Sequence, residues 1–257
     1  MRSASRPRGN TVPGRLRLLD RWLLAAEGPL LVGEGFLGAP AADVGLGALP
    51  WTTVEWARAL RQSDPGLRVL GIDRDPSRVS AARALFGEEL EWREGDLAPG
   101  EPCRLIRAMN LLRQVPAAEV PGALARLGAA LVPGGLLIEG SSSHSGHVLA
   151  ARTLRRGPDG LRPESLVFAT DFTDGFAPAM FRGPLPQGLR LPWSAENPAF
   201  EVLERWSEAQ RGLTERGGIE GEFAASALAA GGRIIGGAAV FSLVAPQDES
   251  SALHAAI

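Results

Sequence analysis

Lysine and tyrosine are absent from this 257-residue chain, cysteine occurs once and histidine three times. Every basic residue is therefore arginine, which with the heavy use of alanine, glycine and proline reads as a compositional bias rather than a functional signal. The single cysteine, Cys103, excludes an intramolecular disulfide and any cysteine-clustered zinc or iron–sulfur site. It precedes an apolar strand with no partner nearby and reads as a small core residue rather than a nucleophile. No cluster of histidines and carboxylates has metal-ligand spacing, so no metal is expected. No apolar run approaches the roughly 20 residues of a membrane span. The start lacks the apolar region of a secretory signal, so the expected location is the cytoplasm. A net charge of −2 argues against a polyanion binder acting through its whole surface.

What is present is alternation. From residue 41 onward short apolar strands, over 41–46, 68–73, 90–94, 105–109 and 136–139, alternate with helical patterns over 53–62, 77–86 and 118–131. That is the arrangement of a parallel sheet covered on both faces. Leu16, Leu19, Trp22, Leu23 and Ala26 make an amphipathic helix before the first strand, ended by Gly28-Pro29. Beyond residue 141 the order loosens: strands over 166–172 and 234–244 flank a helix over 200–211. The Pro/Gly-rich stretch 174–198 reads as an excursion over the sheet rim. The expected organisation is an Arg-rich flexible arm over 1–14, one domain over 15–245 with an insertion near 174–198, and a flexible tail over 246–257. The arm and the residues just after it hold Arg2, Arg6, Arg8, Arg15, Arg17 and Arg21, either a solvated terminus or a segment that tracks nucleic-acid phosphates.

The most informative segment is Asp43-Val44-Gly45-Leu46-Gly47-Ala48-Leu49-Pro50, between a strand and a helix. Gly45 and Gly47 allow a tight turn and close approach of backbone to a ligand. Thr52 and Glu55 have the spacing of a capping box, whose exposed amides would face that ligand. The dinucleotide pattern G-x-G-x-x-G fails at Pro50. Asp43, so close to the turn, would repel a pyrophosphate and suits a cation such as the ammonium of a methionine moiety. These features disfavour a nicotinamide cofactor and favour S-adenosylmethionine.

The second strand ends at Asp73 and the third at Asp96. Asp75 before Pro76 is a natural helix cap, which leaves Asp73 to accept both hydroxyls of a ribose or to serve as a turn residue. Asp96 can accept from an adenine amino group, though Gly-Asp is also an ordinary turn. Three carboxylates at consecutive strand ends share the binding edge of an open sheet.

At these residues the chain resembles class I S-adenosylmethionine-dependent methyltransferases. Residues 43–47 resemble the family's glycine-rich motif, Asp73 its ribose acid and Asp96 its adenine-contacting acid. Residues 105–110 and 131–139 resemble the fourth-strand and fifth-strand motifs. The resemblance covers about residues 41–140, and stretches 18–23, 48–55 and 110–114 are similar to a bacterial subgroup. It implies a Rossmann-like α/β fold with a seven-stranded sheet in the order 3-2-1-4-5-7-6, the last strand antiparallel. It also implies S-adenosylmethionine as cofactor and methyl transfer by direct displacement. Leu49 departs from the pattern, standing where a third glycine is usual. The single cysteine excludes the radical branch of adenosylmethionine chemistry.

The methyl acceptor, whether small molecule, protein or RNA, is not legible. Asn110 lies where the family places acceptor-facing residues, or is a strand-end turn residue. His144, in the Ser/Gly-rich loop after the fifth strand, is the best-placed general base or a loop residue without a catalytic role. Arg113-Gln114 suits an anionic or carbonyl-bearing acceptor, or a solvated helix start. The Asn/Asp-Pro-Pro-aromatic tetrapeptide of amino-methylating members is missing. Trp51 walls the cofactor pocket or packs, and Trp56 reads as core. The alternative function is a non-catalytic S-adenosylmethionine- or nucleotide-binding module that senses ligand or scaffolds a partner.

Overall fold

A computed structural model describes residues 11–214 and 217–243. The expectations for residues 1–10 and for the tail over 246–257 lie outside the described residues. Nine strands form one sheet: β1 (Ala41–Val44), β2 (Val69–Asp73), β3 (Glu91–Glu94), β4 (Cys103–Met109), β5 (Leu131–Ser142), β6 (Val148–Gly157), β7 (Gly160–Thr170), β8 (Arg233–Ile235) and β9 (Ala238–Ser242). Their order across the sheet is β3-β2-β1-β4-β5-β6-β7-β9-β8. Strands β1 to β5 are mutually parallel, in the 3-2-1-4-5 order that the resemblance implied for them. From β5 onward every pairing is antiparallel.

The expected seven strands ending in 5-7-6 are thus corrected to nine, and turn chemistry is the reason. After β5 a short turn through Gly146, at φ +84°, returns the chain as β6 beside β5, and so short a link can join only antiparallel neighbours. Pro158-Asp159 then closes the β6–β7 hairpin. Gly236 and Gly237, both at positive φ, split the single strand expected over 234–244 into β8 and β9. Two successive positive-φ residues are what a two-residue hairpin turn requires.

Helices α1 (Arg17–Ala26), α2 (Gly28–Val32), α3 (Trp51–Leu60) and α4 (Pro76–Phe86) share one apolar core with one face of the sheet, through Leu19, Trp22, Trp56 and Leu60. Helix α1 ends at Ala26, just before Gly28-Pro29 as expected, and the short α2 starts there. The proline sits in the first turn of α2, where a missing N–H costs nothing. On the opposite face α5 (Val120–Ala129) covers the parallel half through Ala123 and Leu127. Helices α6 (Pro198–Arg211) and α7 (Gly218–Ala229) cover the antiparallel half around Trp206 and Phe168. The stretch 174–198 forms short 3-10 turns at Pro178–Arg182 and Gln187–Leu189, and Phe181 and Leu189 pack into that second core. No helix among the described residues is long and apolar enough to cross a membrane.

Candidate cofactor site

Strand order reverses direction between β1 and β4, the switch point at which open parallel sheets bind ligands beyond their carboxyl ends. A cavity of about 240 Å³ lies there. Asp43, Gly45, Gly47, Asp73, Asp96 and Asn110 all line it, so the structure brings together strand tips that are far apart in sequence. Gly45 (φ +94°) and Gly47 (φ +70°) hold backbone conformations that a side chain would strain. A Cβ on Gly45 would come 3.1 Å from the Leu111 side chain. Leu49, the departure from the glycine pattern, is 39% exposed and does not line the cavity, so its side chain leaves the site open.

Asp73 is 4% exposed and fixed by backbone donors: its Oδ2 accepts from Leu46 N at 3.0 Å and its Oδ1 from Asp75 N at 2.9 Å. Arg78 Nη1 lies 3.4 Å from Oδ2. A carboxylate so held keeps its orientation while retaining lone pairs for further donors. Asp75 caps α4 as expected, its Oδ1 accepting from Ser77 N at 2.9 Å. Asp96 pairs with Arg126 Nη1 at 3.1 Å, and both side chains are more than half exposed.

Asp43 does not stand as expected. It is the cross-strand neighbour of Arg107, whose guanidinium donates from Nε to Oδ1 at 3.0 Å and from Nη2 to Oδ2 at 2.8 Å. Thr53 Oγ1 adds a bond to Oδ2 at 2.7 Å. The carboxylate expected to attract a cationic ligand is already bound to a cation of the chain itself. Arg107 is fully buried, bonds Asp20 at 2.7 Å and the Thr52 carbonyl at 2.8 Å, and lies 4.4 Å over the Trp56 ring. One cation thus serves two buried carboxylates. Burial, only partly offset by Arg107, pushes Asp20 up to about 7, and the neighbouring Asp43 adds to the rise.

The capping box is also corrected. Helix α3 begins two residues earlier, with Pro50 at the cap position and no side-chain cap. The Thr53 hydroxyl turns to Asp43, and both Glu55 oxygens accept from Gly14 N at 2.9 Å. Glu55 therefore anchors the N-terminal segment across the helix start.

Asn110 lies on the cavity in the left-handed region, φ +58°, a conformation asparagine tolerates better than most residues. Its Oδ1 accepts from Ser142 N at 3.1 Å and Arg15 Nη2 lies 3.4 Å away, so the carboxamide clasps the β4 and β5 tips. His144 is exposed in the β5–β6 turn and does not line the cavity; a tight hairpin turns it outward. His147 instead bonds Asp171 at 2.8 Å. Trp51 packs edge-on against Phe86 at 5.1 Å rather than walling the cavity, and Trp56 is core. Cys103 is buried, its thiol pushed up to about 12 chiefly by burial.

Sequence reasoning missed Arg15, Arg74, Arg78, Arg126 and Glu119 as cavity residues. Arg15 was counted with a solvated arm, yet its Nε bonds Ser142 Oγ at 3.0 Å and the Ser143 carbonyl at 3.1 Å. Glu119 carries no hydrogen bond or ion pair on its carboxylate among the described residues. Among those residues no group of three or more His, Cys, Asp or Glu side chains is placed to hold a metal ion.

A parallel core in 3-2-1-4-5 order with a cavity at its switch point is the architecture that the resemblance to class I methyltransferases implies. No family model matches the chain. Ribosomal RNA small subunit methyltransferase H of Methylobacterium nodulans is 31% identical over 103 residues, which make up 39% of this chain and 26% of that enzyme. The chain thus spans about a quarter (26%) of the relative it matches. Among solved structures, magnesium protoporphyrin IX methyltransferase of Synechocystis PCC 6803 with bound SAH is 20% identical, with 50% of this chain and 55% of that chain covered and a TM-score of 0.38. The mitomycin 7-O-methyltransferase MmcR is 19% identical over 49% of this chain and 36% of its own, at 0.35. A pericyclic reaction enzyme is 18% identical over 47% and 32%, at 0.38. Likenesses this loose fix neither substrate nor reaction.

Proposed function

We propose that this chain is an S-adenosylmethionine-dependent methyltransferase acting on an acceptor that is a small molecule, a protein or RNA. The observation that carries the reading is the convergence of Gly45, Gly47, Asp73 and Asp96, from three successive strand ends, on one cavity at the switch point. The sequence similarity to a methyltransferase over 103 residues supports it. Bound S-adenosylmethionine supplies an activated methyl group. The chain's part is then to hold and orient, since positioning accounts for much of a direct displacement. Asp73, aimed by two backbone amides, accepts the ribose hydroxyls. The bare backbone at Gly45 and Gly47 admits the ligand closely. Asp96 sits at the rim for an amino group, and Glu119 is the cavity carboxylate free to take a proton from an acceptor.

Isothermal titration calorimetry with S-adenosylmethionine and its demethylated product tests this. Wild type should bind both with micromolar affinity, and Asp73→Ala should lose at least about tenfold. Because Asp73 also anchors backbone, Asp96→Ala serves as a second variant whose loss cannot be assigned to misfolding. Absence of binding by wild type would reject the reading. The second reading, a non-catalytic sensor or scaffold, draws on His144 lying off the cavity and Asn110 being committed to Ser142. Transfer of a radiolabelled methyl group to cell extract separates the two.

A further inference from the structure

A second concavity, of about 390 Å³, lies beside the first, its rim including Ala117, Arg182, Leu185, Arg190, Leu191 and Trp193. Residues 115–119 border both: Val115 and Glu119 line the first cavity and Ala117 the second. The Arg182 guanidinium stacks 4.2 Å over the Trp193 ring, and Trp193 is braced edge-on by Phe200 at 5.2 Å. Neither the Arg182 nor the Arg190 guanidinium has a hydrogen bond or a carboxylate partner among the described residues, and no acidic residue lines the concavity. Arg182 is exposed and Arg190 half-buried.

The two cations stand on a fixed frame. Phe181, next to Arg182, is fully buried and stacked on Trp206 at 5.4 Å. Ser141 Oγ donates to the Pro184 carbonyl at 2.7 Å. Buried Asn197 donates to the carbonyls of Leu189 at 2.9 Å and Pro192 at 3.0 Å, clamping the stretch that carries Arg190. Below it Arg152 bonds Glu139 through Nε, and its buried Nη2 has no hydrogen-bond partner among the described residues. A guanidinium over an aromatic face still has N–H donors for planar anions, and arginine binds carboxylate or phosphate in bidentate fashion. Leu185 and Leu191 supply apolar wall on the same rim, and the volume suits a small molecule.

From this we infer that the second concavity receives the oxyanion, carboxylate or phosphate, of a small acceptor with an apolar body. Through it the acceptor is presented across residues 115–119 to the first cavity. The inference rests on the methyltransferase reading for its meaning, but its chemistry is tested separately. The probes are benzoate, which joins a carboxylate to an apolar body, and inorganic phosphate, titrated by calorimetry against wild type, Arg182→Gln/Arg190→Gln and Arg190→Glu. Wild type should bind one or both at millimolar concentration; the double variant should lose at least about tenfold and the charge reversal more. Benzoate alone would mark a carboxylate acceptor and phosphate alone a phosphorylated one, each supporting the inference. Failure of both to bind wild type, or equal binding by the double variant, would overturn it. So would binding of a single-stranded oligouridylate that falls steeply with salt and is lost in the variants while the small anions do not bind, since the acceptor would then be RNA. S-adenosylmethionine is titrated alongside: its affinity should be unchanged in the variants. A wild type that binds benzoate but no cofactor would sink the functional reading and leave the anion site standing.

Discussion

The two halves of the sheet build their polar chemistry in opposite ways. In the parallel half every strand runs in the same direction, so β1, β2, β3 and β4 deliver their last residues to one edge, and the cavity forms there from strand tips. In the antiparallel half successive strands end at opposite edges, and no such convergence occurs. Its polar concavity is made instead by residues 182–193, with Ala117, laid over an aromatic core. A parallel sheet obtains a site from its topology; an antiparallel one has to add chain to get one.

Breaking the first half takes one residue. Arg107→Ala leaves Asp20 and Asp43 buried without their shared cation, and urea unfolding should show a loss of about 3–5 kcal/mol. A loss under about 1 kcal/mol would mean that water reaches the cluster and that its burial is overstated. In the other half, Trp206→Phe removes volume from the centre of the aromatic cluster and the 2.9 Å bond from Nε1 to Ser226 Oγ. The expected cost is about 2–3 kcal/mol. If the halves divide their labour as described, cofactor affinity of the folded variant stays at the wild-type value; a tenfold fall would break the division.

The pH dependence sharpens the comparison, because the cation that Asp20 bonds, Arg107, stands on β4 of the parallel half. Burial raises it to about 7 from an ordinary 3.8. Between those values the folded chain keeps a proton that the unfolded chain has released, so this group's contribution to stability falls as pH rises through that window. Asp20→Asn should flatten the dependence: the difference in unfolding free energy between wild type and variant should shift towards the variant from pH 4 to 7. A constant difference would show that Arg107 fully compensates the charge. The smallest effect belongs to Arg126→Ala, which removes an exposed pair with Asp96 and should cost less than about 1 kcal/mol.

The same contrast explains what the sequence discloses. Strands β1 and β2 are short apolar runs whose tips carry Gly45 and Asp73, and these tips follow from local pattern. Strand β6 carries Arg152, Arg155 and Arg156, which obscure it, although the turn at Pro158-Asp159 and the Gly236-Gly237 pair were signals available to be read. The committed state of Asp43 depends on Arg107, 64 residues away, and no local motif contains both. Its one trace is an arginine at the centre of the otherwise apolar run Leu105-Ile106-Arg107-Ala108-Met109, a position that demands a buried acid. Thr52 and Glu55 were assigned to helix capping because capping is local; Thr52 instead gives its carbonyl to Arg107, and Glu55 accepts from Gly14.

The N-terminal segment carries one more consequence, for the order in which the protein is made. Gly14 waits for Glu55, Asp20 for Arg107, and Arg15 for Ser142, a separation of 127 residues. On the ribosome α1 therefore emerges long before its partners, and the wall it completes closes only after β5 has been synthesised. Contacts so distant in sequence slow folding. A nascent chain stalled before residue 142 should leave the apolar face of α1 uncovered and bind no cofactor.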